Sequence, residues 1–222
     1  MTLPFPRSAP GPALRFAVES ADHDPHAMGP TLRLRLRVAD TTGTTVHTLA
    51  LRAQVRIEPR KRRYSEAEQH RLVELFGEPG DWARSCNPMQ LATVSTLVGT
   101  FTGDTVVDIE VPLTYDVEIA STRYFRGLDD GEVPLLVLFS GTVFYRSAQG
   151  VQVGLVPWHE EATFRLPIAL WRDMMAAHYA GTAWLALPEY TMSRLTAWRA
   201  AQALPSWEQT IDALLSRAEG AP

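Results

Sequence analysis

Residues 31–38 read Thr31-Leu32-Arg33-Leu34-Arg35-Leu36-Arg37-Val38. Leucine and valine occupy every second position and arginine the positions between, the period-2 signature of a strand with one buried and one solvated face. The same alternation continues on both sides. Leu14, Phe16 and Val18 alternate with Arg15, Ala17 and Glu19 upstream. Downstream, Leu49, Leu51, Val55 and Ile57 alternate with Arg52, Gln54, Arg56 and Glu58. Asp22 to His26 reads as a loop, and Asp40 to Thr45, around Gly43, reads as a hairpin connection. Three successive strands joined in this way predict an antiparallel meander.

Ser65-Glu66-Ala67-Glu68 is a capping box, because a serine hydroxyl and a glutamate three residues later satisfy each other's free backbone N–H groups. It predicts a short helix ending at Gly77. A further strand is expected at Ser95–Thr102, and the longest alternation, Thr105 to Ile119, predicts another. Pro112 lacks a ladder donor and places that strand at an edge, or bends it. Residues 135–139, Leu-Leu-Val-Leu-Phe, are apolar on both faces, so the strand spanning 132–146 calls for a second layer of structure. Strands at 151–155 and around Phe164 close the series. Beyond Pro167 the period becomes helical, with Ile168, Trp171, Met174, Met175 and His178 on one stripe and Trp207, Ile211, Leu214, Leu215 and Ala218 on another. Pro188 suits the start of an intervening helix, and Ser206 to Gln209 repeats the capping box.

The expected class is α+β: a mainly antiparallel sheet or sandwich of about seven or eight strands, a short helix after the third strand, and a C-terminal helical segment (about residues 167–218) packed on it. Residues 1–13, with Pro4, Pro6, Pro10 and Pro12, form an N-terminal arm, and 14–222 a single β-rich domain.

Composition narrows function. Twenty-one basic and 25 acidic residues give a net charge of -4, which opposes a phosphate-tracking surface, so no nucleic-acid partner is expected. The single cysteine, Cys86, forms no internal disulfide and no cysteine-rich metal centre. With no signal-peptide run near the start and no apolar stretch long enough to span a bilayer, a cytoplasmic location without membrane contact is expected. Dinucleotide, phosphate-loop, metalloprotease and serine-hydrolase motifs are absent.

Four groups of residues carry candidate chemistry. Arg33, Arg35 and Arg37, with Arg52 and Arg56 on the next strand, form an arginine ladder. Like charges opposite one another are unfavourable. Either the ladder receives an acidic partner, or Asp108, Glu110, Asp116 and Glu118 on the polar face of the 105–119 strand neutralise it. Trp171, Trp184, Trp198 and Trp207 crowd the last 52 residues, where large aromatics anchor a core or an interface. The partner-binding candidates are therefore Arg33, Arg35, Arg37, Arg52, Arg56, Trp198 and Trp207. His159, Glu160 and Glu161 offer an imidazole beside carboxylates for acid–base work, though without a recognisable nucleophile. Asp22, His23, Asp24 and His26 offer mixed metal ligands, but in a short loop interrupted by Pro25, so no metal and no other cofactor is expected.

The stretches Thr105-Val106-Val107-Asp108, Asp130-Gly131-Glu132-Val133-Pro134-Leu135, Phe139 to Tyr145, Pro157-Trp158, Ala183-Trp184-Leu185 and Leu204-Pro205-Ser206-Trp207 resemble an uncharacterised actinobacterial protein family. The resemblance covers roughly residues 14–216, and members of that family are often encoded near high-affinity nickel–iron hydrogenase genes. It implies an accessory role and no catalytic residues. The expected function is a non-catalytic cytoplasmic binding or accessory protein with a protein partner. The alternatives are an enzyme using His159, Glu160 and Glu161, and a chaperone-like binder of unfolded chains.

Overall fold

The computed structural model describes residues 11–114, 119–179, 182 and 185–220. The contacts divide the chain into two compact units, Met1–Trp184 and Leu185–Pro222.

Among the described residues, the first unit holds eight strands in two antiparallel sheets. β1 (Leu14–His23), β2 (Thr31–Asp40) and β5 (Asp104–Pro112) form a three-stranded sheet in the order β1-β2-β5. The second sheet runs β4-β3-β6-β7, with β4 spanning Met89–Val98, β3 Val46–Ile57, β6 Glu132–Ser147 and β7 Gly150–Leu155. β8 (Glu161–Pro167) pairs with the first half of β6, and β7 with the second half.

Each sheet turns its alternating apolar face inward. Leu32, Leu34, Leu36 and Val38 of β2 are fully buried, as are Leu49, Val55 and Ile57 of β3. Phe16 of β1 stacks on Phe139 of β6 with ring centroids 4.3 Å apart and joins the two faces into one core.

The meander expected for β1 to β3 is corrected. β2 does not pair with β3; its second partner is β5, whereas β3 pairs with β4 and β6. The segment expected to be a hairpin carries the chain from one sheet to the other. Its turn is built on the buried Asp40 carboxylate, which accepts bonds from the N–H groups of Ala13 (2.8 Å) and Thr44 (2.7 Å) and from the Thr42 hydroxyl (2.8 Å). Period-2 patterning fixes which face of a strand is buried and is silent on which sheet owns it.

The long strand expected over 105–119 also ends early. β5 stops at Pro112 on the edge of its sheet, residues 115–118 lie outside the described residues, and helix α4 runs over Ala120–Gly127. The strand expected at 95–102 begins earlier, at Met89. The capping box forms as read: the Ser65 hydroxyl accepts from Glu68 N–H and the Glu68 carboxylate from Ser65 N–H. The helix it starts breaks at Leu72 into α1 (Glu66–Arg71) and α2 (Val73–Phe76), and a further short turn, α3, covers Trp82–Ser85.

In β6, Leu135, Val137 and Phe139 are buried while Leu136 and Leu138 are half-buried. Helix α5 (Ile168–Tyr179) buries Ile168, Trp171, Met174 and Met175 and packs against β1, β2 and β8. Trp171 lies parallel to Phe125 of α4 at 5.0 Å.

In the second unit, α6 (Glu189–Ala201) and α7 (Trp207–Glu219) form a helical hairpin. Ser206 caps α7 through Gln209 N–H, and Ala203 in the connection has a φ of 51°. Among the described residues of this unit only Thr210 is fully buried, and Ile211 and Leu215 of the expected apolar stripe are exposed.

Candidate functional site

The arginine ladder separates into two groups. Arg33, Arg35 and Arg37 stand on the outer face of the three-stranded sheet; Arg52 and Arg56 stand on the outer face of the five-stranded sheet. Register places Arg33 opposite Glu110 and Arg35 opposite Asp108, as the alternation suggests. The ion pairs nevertheless run to other acids. Arg33 meets Asp24 at 3.1 Å, Arg37 meets Asp104 at 2.9 Å, and Glu19 lies 4.0 Å from both Arg35 and Arg37. The neutralising charge therefore comes from β1, its following loop and the first residue of β5. Asp116 and Glu118, expected to share this task, lie outside the described residues. The His26 N–H, bound to the Asp24 carboxylate, and the nearby Arg33 hold that carboxyl below the usual aspartate range.

The arginines of β3 differ. Arg52 is exposed, and Arg56 is half-buried and donates to Gln54 Oε1 at 2.9 Å. Among the described residues neither has an acidic partner within salt-bridge distance. On the Arg52 side, register aligns Leu97, Ala50, Thr142 and Leu155 in one row across four strands, and Phe144 with Val153 in a second. Leu97, Val153 and Leu155 are 72%, 61% and 77% exposed.

Two of the three acid–base candidates meet. Glu160 is buried and forms a salt bridge with Arg15; His159 is exposed, with Nε2 3.5 Å from Glu160 Oε1. Glu161, the first residue of β8, is exposed. The imidazole lies at the surface, and the carboxylate beside it is already engaged by a guanidinium. Among the described residues no three His, Cys, Asp or Glu side chains group as metal ligands, and Asp24 is occupied by Arg33 and the His26 N–H.

Trp198 and Trp207 are half-buried and each lies under an arginine of its own helical hairpin. Arg217 stacks over Trp198 at 5.2 Å and Arg199 over Trp207 at 4.8 Å, while Arg199 also donates to the carbonyls of Leu204 and Pro205. These contacts tie α6 to α7, so the tryptophans do structural work in that hairpin. Trp184 lies outside the described residues.

Two sites escaped the sequence reading. One is a buried ion pair. Arg62 grips Glu68 through two parallel bonds of 2.9 and 3.0 Å, and it also donates to the carbonyls of Asp130 (2.5 Å) and Glu132 (3.2 Å). Glu68 further accepts from the N–H groups of Ser65 (3.0 Å) and Asp129 (2.9 Å). Burial alone would push this carboxyl up; the Arg62 and backbone hydrogen bonds outweigh it and hold it at about 2. Tyr64 and Tyr124 share a 2.7 Å hydroxyl contact alongside, and burial drives Tyr124 up to about 12. The cluster fastens the segment after β3 to the loop before β6. The capping box was its visible signal; the arginine partner was hidden in the basic run 60–63.

The other is a cavity of about 360 Å³ between the ends of β4 and β5 and the helices α4 and α5, lined by Leu91, Leu113, Ser121, Phe125 and Trp171 among others. It was illegible because the expected strand ran on to Ile119 and the sequence reading placed no helix at 120–127.

The chain belongs to the family of unknown function DUF6084, whose model matches residues 11–222. No curated relative matches it. Among solved structures it is similar to the CARDB domain of the PF1109 protein from Pyrococcus furiosus, with 9% identity over 70% of this chain and 92% of that one and a TM-score of 0.29. A late embryogenesis abundant protein gives 12% identity, 70% and 72% coverage and a TM-score of 0.34. A β-glucosidase from Kluyveromyces marxianus gives 8% identity, 69% and 15% coverage and a TM-score of 0.26. Likenesses of this size carry nothing about function.

Proposed function

We propose that the protein is a non-catalytic cytoplasmic accessory protein that binds an acidic, partly apolar protein surface on the outer face of its five-stranded sheet. One contrast supports this reading. The arginines of β2 have acids within reach, whereas Arg52 and Arg56 of β3 have none among the described residues, and Arg52 lies next to the row that carries the exposed Leu97 and Leu155. A guanidinium without an internal acid is ready for a carboxylate from outside. The resemblance to proteins encoded beside nickel–iron hydrogenase genes makes hydrogenase subunits and their assembly proteins the first partners to try.

The test compares purified candidate partners against three forms of the full chain: unchanged, Arg52→Glu with Arg56→Glu, and Arg33→Glu with Arg35→Glu. Binding should weaken at higher salt, disappear in the β3 variant and survive in the β2 variant. Equal binding by all three forms would remove the β3 face from the proposal.

A further inference from the structure

The cavity between β4, β5, α4 and α5 has a consistent chemical character. Its walls carry Leu91, Leu113, Ile119, Phe125 and Trp171, with Gln90, Thr114, Ser121 and Thr122 as polar neighbours, and among the described residues no charged side chain lines it. Two of the polar residues that line it carry a donor that no acceptor meets. Ser121 is 8% exposed and Trp171 5% exposed, yet neither the serine hydroxyl nor the indole N–H has a hydrogen-bond partner among the described residues. Neither atom is sealed from solvent: among the described residues the one sealed and unpartnered side-chain atom is His23 Nδ1. Thr122, the next residue, is different: its hydroxyl donates to the Thr114 carbonyl at 3.1 Å.

Ser121 stands in the first turn of α4, an eight-residue helix whose N-cap, Ile119, supplies no side-chain cap. The leading N–H groups of a helix have no intrahelical acceptor, and the aligned peptide dipoles favour negative charge there. A tryptophan N–H can only donate. The unmet demand is for an acceptor, preferably anionic, presented by an otherwise apolar body. The volume is roughly twice that of a pocket that holds benzene, and it sits at the small end of ligand sites.

From this combination we infer that the cavity binds a small carboxylate with an apolar body, its carboxylate on the Ser121 hydroxyl and the N-terminal turn of α4 and its body against Phe125, Trp171, Leu91 and Leu113. The proposal does not rest on the β3 arginine face, although Gln90, the cross-strand partner of Arg56, is among the lining residues. The same chemistry is presented by a free carboxylic acid and by the C-terminus of a peptide.

The test is an amide-resolved NMR titration of the full chain with phenylbutyrate, phenylbutanol, acetyl-glycyl-phenylalanine and the C-terminal amide of that peptide. Phenylbutyrate or the free-acid peptide should give saturable shifts at Ala120, Ser121, Thr122 and the Trp171 indole. The alcohol or the peptide amide should bind at least about tenfold more weakly. Whichever acid binds more tightly identifies the source of the carboxylate. Ser121→Ala should weaken binding by about three- to tenfold. Ser121→Asp should abolish it while leaving the thermal midpoint equal or higher, because the new carboxylate itself satisfies the helix terminus. Equal binding of acid and alcohol, saturable shifts elsewhere, retained binding in Ser121→Asp, or no saturation by either acid at millimolar concentration would each overturn the assignment.

Discussion

Replacing Glu68 by glutamine isolates the energetic role of the Arg62–Glu68 pair. The carboxyl titrates near 4.5 in a free chain and near 2 in the fold, a difference of about 2.5. At about 1.36 kcal/mol per pH unit, that amounts to about 3 kcal/mol of stability at neutral pH. The Glu68 side chain is 5% exposed, so solvent screening removes little of it. Breaking a buried pair by removing one partner costs about 3–5 kcal/mol by an independent route, which agrees. The sign follows from the depressed folded value. The contribution is complete above pH 4.5 and declines as the solution is acidified, vanishing near pH 2. Urea denaturation followed by circular dichroism, from pH 7 downward, should therefore show Glu68→Gln about 3 kcal/mol less stable at neutral pH, with the gap narrowing below pH 4.5 and closing toward pH 2. A gap under about 1 kcal/mol at pH 7, or one that stays constant on acidification, would show that the pair does not hold the loops together as argued.

Gly141→Ala should destabilise by about 2–5 kcal/mol, because its methyl group would lie 2.2 Å from the Ala50 carbonyl oxygen and force β3 and β6 apart. Gly154→Ala, which meets only side-chain atoms at 3.3 Å or more, should be much milder in the same thermal melts. Phe139→Ala should cost about 3–5 kcal/mol in urea denaturation through loss of its stack on Phe16. A chain ending at Leu166 loses the buried Ile168, Trp171, Met174 and Met175, each worth about 1.5–3 kcal/mol, and should fail to give a cooperative melt, whereas a chain ending at Trp184 should melt cooperatively.

The faces of the strands were legible in the sequence because burial and side-chain period are the same information: every apolar residue of the 32–38 alternation is fully buried. Sheet membership was not legible. Asp40 to Thr45 has hairpin composition, but the carboxylate at its start organises a crossover, and nothing local distinguishes the two uses. The β5-to-α4 change was missed because Ile119 completes an apparent alternation, although Pro112 already marked the end of the ladder. Among the site candidates, the ladder arginines and their need for acids were readable; which acids answer them depends on where β1 lies, a tertiary fact. The carboxylate beside His159 looked available in sequence, and only the structure brings Arg15 to it from 145 residues away.

The crossover at Asp40 has a consequence for how the protein comes off the ribosome. β1 and β2 can pair as soon as both are made, but β2 awaits β5, and β3 awaits a β6 that is completed about ninety residues after β3 ends. At about 5–20 residues per second, β3 remains without its central neighbour for roughly 5–20 s. During that interval Leu49, Leu51, Val55 and Ile57 have no completed core to enter. Closure of the sandwich is thus governed by contacts distant in sequence, and folding should be slow for a domain of this size. The nascent chain, more than the finished one, is the form that needs protection from its neighbours.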